Sequence, residues 1–230
     1  MGKKERCFAP LMSLDFSALM RNSDRSTTDP QKNRQPGRSR IKEQVMALPE
    51  YRWVSVEEYL AIDNASDVRF EYVHGQLRML AGGSRNHALI AHNLHGLLHN
   101  YLRGTPCAAY TSDMRVQVAI ERYYYPDVTV SCDENEAENA LNSPRVVFEV
   151  LSPSTEVIDR TEKLEAYREL LSVEDYVLVS SERQVVEVHH RDRKQNYWIT
   201  RIYGPGDTVR IESLNAEFLM DEIYERIRFK

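Results

Sequence analysis

Asp127 follows Pro126 at the end of the run Tyr123-Tyr124-Tyr125, and twenty-two positions later Glu149 sits inside Val146-Val147-Phe148-Glu149-Val150-Leu151. A carboxylate in the middle of a strand that reads as buried on both faces is costly unless something pairs with it. A second carboxylate at the end of a neighbouring strand supplies a reason, a shared divalent cation. Without a cation the two groups repel in a partly buried cleft, and the pKa of one of them rises. Mg2+, or Mn2+ in its place, suits so sparse an acidic pair, because Mg2+ completes its shell with waters and substrate phosphate. An ion there acidifies a water nucleophile and neutralises charge building on a phosphate. A nearby lysine orients that water or stabilises the developing negative charge.

Each residue also has a structural reading. A Pro-Asp dipeptide starts a turn. Glu149 can be a buried glutamate paired with Arg69, Arg115 or Arg145. Glu71 alternates with Phe70 and Tyr72 in a hairpin and can face solvent. Lys163 lies four residues after Asp159, the spacing of a helical ion pair worth only ~0.2–0.5 kcal/mol. His92, His95 and His99 share a helix face and open a zinc-hydrolase reading, although no Glu completes a metalloprotease pattern and nothing else supplies a ligand set. His87, in the first turn of its helix, can touch substrate phosphate or cap the helix. Ser152-Pro153-Ser154-Thr155 ends a strand and caps the next helix, whose positive end favours a phosphate; no nucleophile elbow surrounds these serines. The three tyrosines pack in a core or stack on bases.

The elements that must position these groups are legible from residue 51 onward. Ser55 with Glu58 forms a capping box for a short helix ending near Asp63. Residues 69–73 and 76–80 alternate around His74-Gly75 as a hairpin. Ser84 caps a long helix that carries Ile90, Leu94, Leu97 and Tyr101 and stops at Gly104. Strands are expected at 108–111, 115–120 and 124–130, and then around Glu149. A second long helix is expected over 155–171, with Ile158, Leu164, Tyr167 and Leu171 inward. Strands at 176–180, 185–190, 197–203 and 208–211 and a helix over 220–228 complete an α/β (α+β) plan.

The 230 residues are 42% apolar, with no uninterrupted apolar run near the roughly 20 residues that cross a bilayer. No membrane association is expected. Cys7, Cys107 and Cys132 are odd in number and widely spaced, which argues against a disulfide frame and for a reducing, cytoplasmic setting. Through residue 45 there are ten Lys or Arg against five Asp or Glu, and from residue 46 on twenty against thirty. Residues 1–48 read as a disordered basic tail, with Met46 as an alternative start, and 49–230 as one acidic domain. Binding duplex DNA chiefly by phosphate neutralisation usually carries the opposite sign, so a local basic groove is required.

The runs Tyr59-Leu60, Arg69-Phe70-Glu71-Tyr72-Val73-His74-Gly75-Gln76-Leu77, Ser84-Arg85-Asn86-His87, Pro126-Asp127-Val128, Phe148-Glu149-Val150-Leu151-Ser152-Pro153-Ser154-Thr155 and Asp159-Arg160-Thr161-Glu162-Lys163-Leu164-Glu165-Ala166-Tyr167 resemble the Uma family of restriction endonucleases, within the PD-(D/E)XK nuclease superfamily. The resemblance spans about residues 51–225. It implies a restriction-endonuclease-like core, a central mixed β-sheet flanked by helices, and Mg2+-dependent cleavage of DNA. It assigns Asp127 as the motif aspartate, Glu149 as the motif acid, both of them metal ligands, and Glu71 as an additional upstream acid. Leu151 occupies the motif's lysine position, and Lys163 is the candidate replacement. His87 matches the family's recurring histidine. Cutting both strands with one site per chain invites a homodimer. The rival expectation is an inactive nuclease-fold module that binds nucleic acid or a protein partner.

Overall fold

Local side-chain chemistry builds the first elements. The computed structural model describes residues 52–80, 82–195 and 197–229. Ser55 Oγ accepts the Glu58 backbone N–H, and the Glu58 carboxylate accepts that of Ser55, so α1 (Val56–Ala65) opens on the expected capping box. His74 and Gly75 take positive φ angles of 45° and 82°, which lets two residues turn β1 (Phe70–Val73) into β2 (Gln76–Met79). Ser84 Oγ accepts the His87 N–H at 3.2 Å and starts α2 (Arg85–Tyr101). These residues belong to one compact unit, Pro49–Lys230. The expected tail at 1–48 and the alternative start at Met46 lie outside the described residues. No helix among those described is long and apolar enough to cross a membrane.

Two larger sheets follow. One has the order β2-β1-β5-β4-β7, adding β4 (Arg115–Ala119), β5 (Arg122–Tyr124) and β7 (Ala140–Leu141). The other joins β3 (Ala108–Thr111), β6 (Val128–Ser131), β8 (Pro144–Leu151), β9 (Asp175–Ser180), β10 (Val186–Asp192) and β11 (Tyr197–Tyr203) in the order β11-β10-β9-β8-β6-β3. This second sheet is mixed, because β8 and β9 run parallel while the other pairs are antiparallel. A hairpin of β12 (Thr208–Ile211) and β13 (Ala216–Leu219) packs beside it. The strand expected over 124–130 is therefore two strands in different sheets. Pro126 has no N–H for a ladder, so the chain leaves one sheet at Tyr125 and enters the other at Val128.

β8 separates two cores. Val146, Phe148 and Val150 face Ile90, Leu94 and Leu98 of α2 together with β12, β13 and α5 (Met220–Ile223). Val147 and Leu151 face Val116, Tyr124, Leu141, Tyr167 and Tyr176. Alternation puts Glu149 on this second, tyrosine-rich side. A third cluster, Val54, Tyr59, Tyr72 and Tyr123, fixes α1 on the first sheet, with Tyr59 and Tyr72 stacked at 4.9 Å. Thus Tyr123, Tyr124 and Tyr125 are buried rather than open to bases. Each fully buried large apolar side chain contributes about 1.5–3 kcal/mol relative to an exposed one.

The helices differ from expectation where polar groups turn inward. The one expected over 155–171 is α3 (Glu156–Ile158), a π turn (Asp159–Lys163) and α4 (Leu164–Glu169). Its buried positions are Asp159, Lys163, Ala166 and Tyr167, while Leu171 lies beyond the helix and is exposed. On α2 the inward residues are Ile90, Leu94 and Leu98, and Tyr101 is outward, its hydroxyl donating to Asn215 O at 2.6 Å. The helix expected over 220–228 is only α5, and β13 was not anticipated.

The cysteines correct a further expectation. Ala108 pairs with Ser131 across β3 and β6, and the next residues out, Cys107 and Cys132, form a disulfide with Cα atoms 3.9 Å apart. A separation of 25 residues gives no sign of this, because the pairing is set by strand register. Replacing both by serine is expected to destabilise the protein by about 3 kcal/mol through the freed loop. Denaturant melts without reductant test this, with non-reducing peptide mapping to locate the bond. Coincident melts would remove its structural role.

Candidate active site

The β6–β8 register brings the two acidic residues together. Val128 pairs with Phe148 in antiparallel fashion, so one step further Asp127 stands opposite Glu149. Opposed residues project to the same face of a sheet. Asp127 Oδ2 accepts the Val150 N–H at 2.7 Å, which ties its carboxylate to the strand that carries Glu149. The turn reading of Pro126-Asp127 and the site reading coincide, since Pro126 frees the backbone at the strand entrance where Asp127 is needed.

Glu149 is paired, though not with Arg69, Arg115 or Arg145. Arg69 lies over the Tyr125 ring, Arg115 bonds Asp63 at 2.7 Å, and Arg145 faces Glu174 at 3.4 Å. The partner is Lys163, whose Nζ donates to Glu149 Oε1 at 3.0 Å. The same ammonium lies 2.9 Å from Glu71 Oε1 and 3.2 Å from Asp159 Oδ1. Asp159 and Lys163 are the first and last residues of the π turn, and both lie on its buried face. All four groups are at least 95% buried. Glu71 is therefore inside and does not face solvent; both its oxygens meet cations, since Arg78 reaches Oε2 at 3.3 Å.

One ammonium faces three carboxylates. Burial, followed by the charges of Asp159, Asp127 and Glu71, pushes the Glu149 carboxyl well above its usual range against the pull of Lys163. Burial raises Asp159 too. Burial works against the charge on Lys163, but Glu149, Glu71 and Asp159 override it and hold the amine protonated. Asp159 Oδ1 and the Tyr167 hydroxyl are buried without a hydrogen bond. Arg78 also grips Glu162 at 3.0 Å, and the Tyr124 hydroxyl donates to Glu162 at 3.1 Å.

His87 is brought in from α2, with Nε2 3.2 Å from Asp127 Oδ2. Burial opposes its charge, and the bond to Asp127 overrides burial, so its pKa lies above the ordinary 6.5. A raised histidine contributes stability that is complete below the unfolded value and is lost as pH rises through the folded one. His87→Gln is thus expected to cost more stability at pH 6 than at pH 8.5. Thermal melts at the two pH values check this, and an equal cost at both would show that His87 is neutral throughout.

His95 and His99 stack at 6.2 Å, and His95 Nε2 faces Ala109 O at 3.3 Å. No further ligand joins them among the described residues. Among the described residues no group of three or more His, Cys, Asp or Glu side chains forms a ready metal cage. What the site does offer is hard carboxylate oxygen in excess of its cationic charge, with the half-buried Asp127 at its edge. That donor set fits an ion which needs only one or two carboxylates.

Asp159 and Arg78 were missed from sequence. The hairpin register had the signal for Arg78: Val73 opposite Gln76 puts Glu71 opposite Arg78. Asp159 was visible only as half of a surface-like i,i+4 pair.

A family model designated Uma2 and described as "Putative restriction endonuclease" matches residues 56–221. "Uncharacterized protein slr1290" of Synechocystis sp. is 34% identical over 179 residues, covering 76% of this chain and 94% of that protein. "Uncharacterized protein sll1609" of the same organism is 27% identical over 165 residues, 70% of this chain and 93% of that protein. A crystal structure from Anabaena variabilis, described as "a putative nuclease belonging to DUF820", superposes with a TM-score of 0.63. It covers 76% of this chain and 99% of its own at 15% identity, which shows a shared fold.

Proposed function

We propose that this chain, which belongs to the Uma2 family described as "Putative restriction endonuclease", is a Mg2+-dependent endonuclease that hydrolyses phosphodiester bonds in DNA. The observation that carries the reading is Asp127 opposite Glu149 with the Lys163 ammonium on Glu149 Oε1. Leu151, in the motif's lysine position, is buried in the tyrosine-rich core, and the π turn delivers an amine to the acid from another element. Asp127 and Glu149 would hold Mg2+ or Mn2+, which when bound supplies an acidified water and neutralises phosphate charge. Lys163, kept protonated, stabilises negative charge next to Glu149. Glu71 and Asp159 are positioning residues that fix the amine. His87, charged through Asp127, donates toward the substrate phosphate at the rim. A homodimer to cut both strands belongs to the same proposal.

A second reading has one observation in its favour: Lys163 satisfied by three carboxylates is also what a structural ion cluster looks like in an inactive binding module. Plasmid, single-stranded DNA and RNA incubated with Mg2+, Mn2+ or no metal separate the two. Metal-dependent nicking supports the nuclease. Binding of nucleic acid without cleavage under every metal supports the module.

A further inference from the structure

We infer that a cleft beside this site, walled by Arg85 and Arg228, binds a DNA backbone phosphate flanking the one to be cleaved. The inference rests on the nuclease reading and names where its substrate strand runs. The cleft has a volume of about 640 Å³, and its lining includes Arg85, Asn86, Pro153, Ser181, Glu182 and Arg228.

Its walls are continuous with the candidate site. Arg85 and Asn86 immediately precede His87, the partner of Asp127. Pro153 follows Glu149 by four residues at the end of β8, and Ser181 follows β9, its hydroxyl donating to Leu151 O at 2.6 Å. The carboxyl ends of the parallel pair β8 and β9 thus open onto the cleft, the end of such strands at which ligands are generally held. The last wall is fastened on purpose-built contacts: Asn86 Nδ2 donates to Arg228 O at 3.0 Å, and Asn93 Nδ2 donates to Ile223 O and Glu225 O at 3.1 and 3.0 Å. These bonds hold the segment after α5 against α2, so Arg228 is presented to the cleft by fixed backbone.

Charge identifies the occupant. Most arginines near the site are already engaged: Arg78 with Glu71 and Glu162, and Arg160 with Glu156 and Glu187. Among the described residues neither Arg85 nor Arg228 has an ion-pair partner, and both are exposed. Two guanidinium groups against the one carboxylate of Glu182 make this lining net basic in a chain with a formal net charge of -5. A guanidinium fork matches a phosphodiester's two free oxygens. This is the local basic groove that an acidic nuclease needs in order to approach DNA at all.

The test is fluorescence anisotropy of a labelled 20-base-pair duplex on the full chain with Ca2+ in place of Mg2+, over a series of salt concentrations. Arg85→Ala/Arg228→Ala is expected to weaken binding at least tenfold. It should also lower the slope of log K against log salt by about 0.9, the value for the one phosphate that is no longer neutralised. Arg85→Lys/Arg228→Lys keeps the slope, because the charge is kept, and Arg103→Ala at the other end of α2 changes neither quantity. Both arginines are exposed, so the variants fold. Wild-type binding with an unchanged slope in the double alanine variant overturns the cleft and leaves the nuclease reading intact. Absence of any binding by the wild type overturns both.

Discussion

Lys163→Met is expected to destabilise the fold by about 3–5 kcal/mol, the cost of leaving buried charge without its partner. Folded proteins are stable by only about 5–15 kcal/mol, so this single change removes a large share. The side chain is nearly isosteric, and the loss comes from Glu71, Glu149 and Asp159, which would then face one another with no ammonium between them. Its pH dependence identifies the cause. Carboxyls whose folded pKa is raised destabilise as pH climbs above the unfolded value near 4 and through the folded one. The deficit should therefore be smallest near pH 4–5 and grow toward pH 8. At neutral pH the melting temperature should fall by about 10 °C, given roughly 2–4 °C per kcal/mol at this size. A Lys163→Met protein that melts with the wild type at pH 7.5 would show that the ammonium does not hold the cluster.

Glu149→Gln is expected to act in opposite directions on activity and stability. Metal-dependent nicking of plasmid should fall by about a thousandfold or more, since several kcal/mol of charge stabilisation corresponds to that factor at 1.4 kcal/mol per decade. Asp127→Asn should fall comparably, whereas His95→Ala should leave nicking unchanged. The melting temperature of Glu149→Gln should rise at neutral pH, because the substitution removes the carboxyl that burial and three neighbouring acids already disfavour as an anion. Isothermal titration with Mn2+ adds a readout independent of turnover: Glu149→Gln and Asp127→Asn should lose the binding isotherm that the wild type shows. Undiminished nicking by Glu149→Gln sinks the assignment of the motif acid.

What could be read beforehand followed the range of the interaction. The Ser55–Glu58 box, the His74-Gly75 turn and the Ser84 cap each involve residues within four positions, and their bounds came out close to the structure. The family likeness singled out Glu71, Glu149 and Lys163, which the structure brings into contact, and Asp127, which it sets opposite Glu149. Pairing over longer distances was hidden. Nothing local in Tyr123-Tyr124-Tyr125 says that the chain changes sheets at Pro126, and Cys107 meets Cys132 only once β3 and β6 are in register. The π turn was the hardest to foresee, because Asp159 and Lys163 at i,i+4 look like an exposed ion pair, yet both are buried. Leu171, expected in the core, is exposed because the helix ends at Glu169, before reaching it.

The alternation along β8 has a consequence for anyone who edits this chain. Even-numbered positions from Val146 to Val150 speak to the aliphatic core under α2, and odd-numbered ones to the tyrosines and the ammonium. Deleting a single residue within the strand would exchange the two audiences, sending a carboxylate into hydrocarbon and a phenylalanine toward Lys163. Lengthening the exposed turn at residues 133–135, ahead of β7, leaves that parity alone, so grafts belong there and frame errors inside the strand should not yield folded protein.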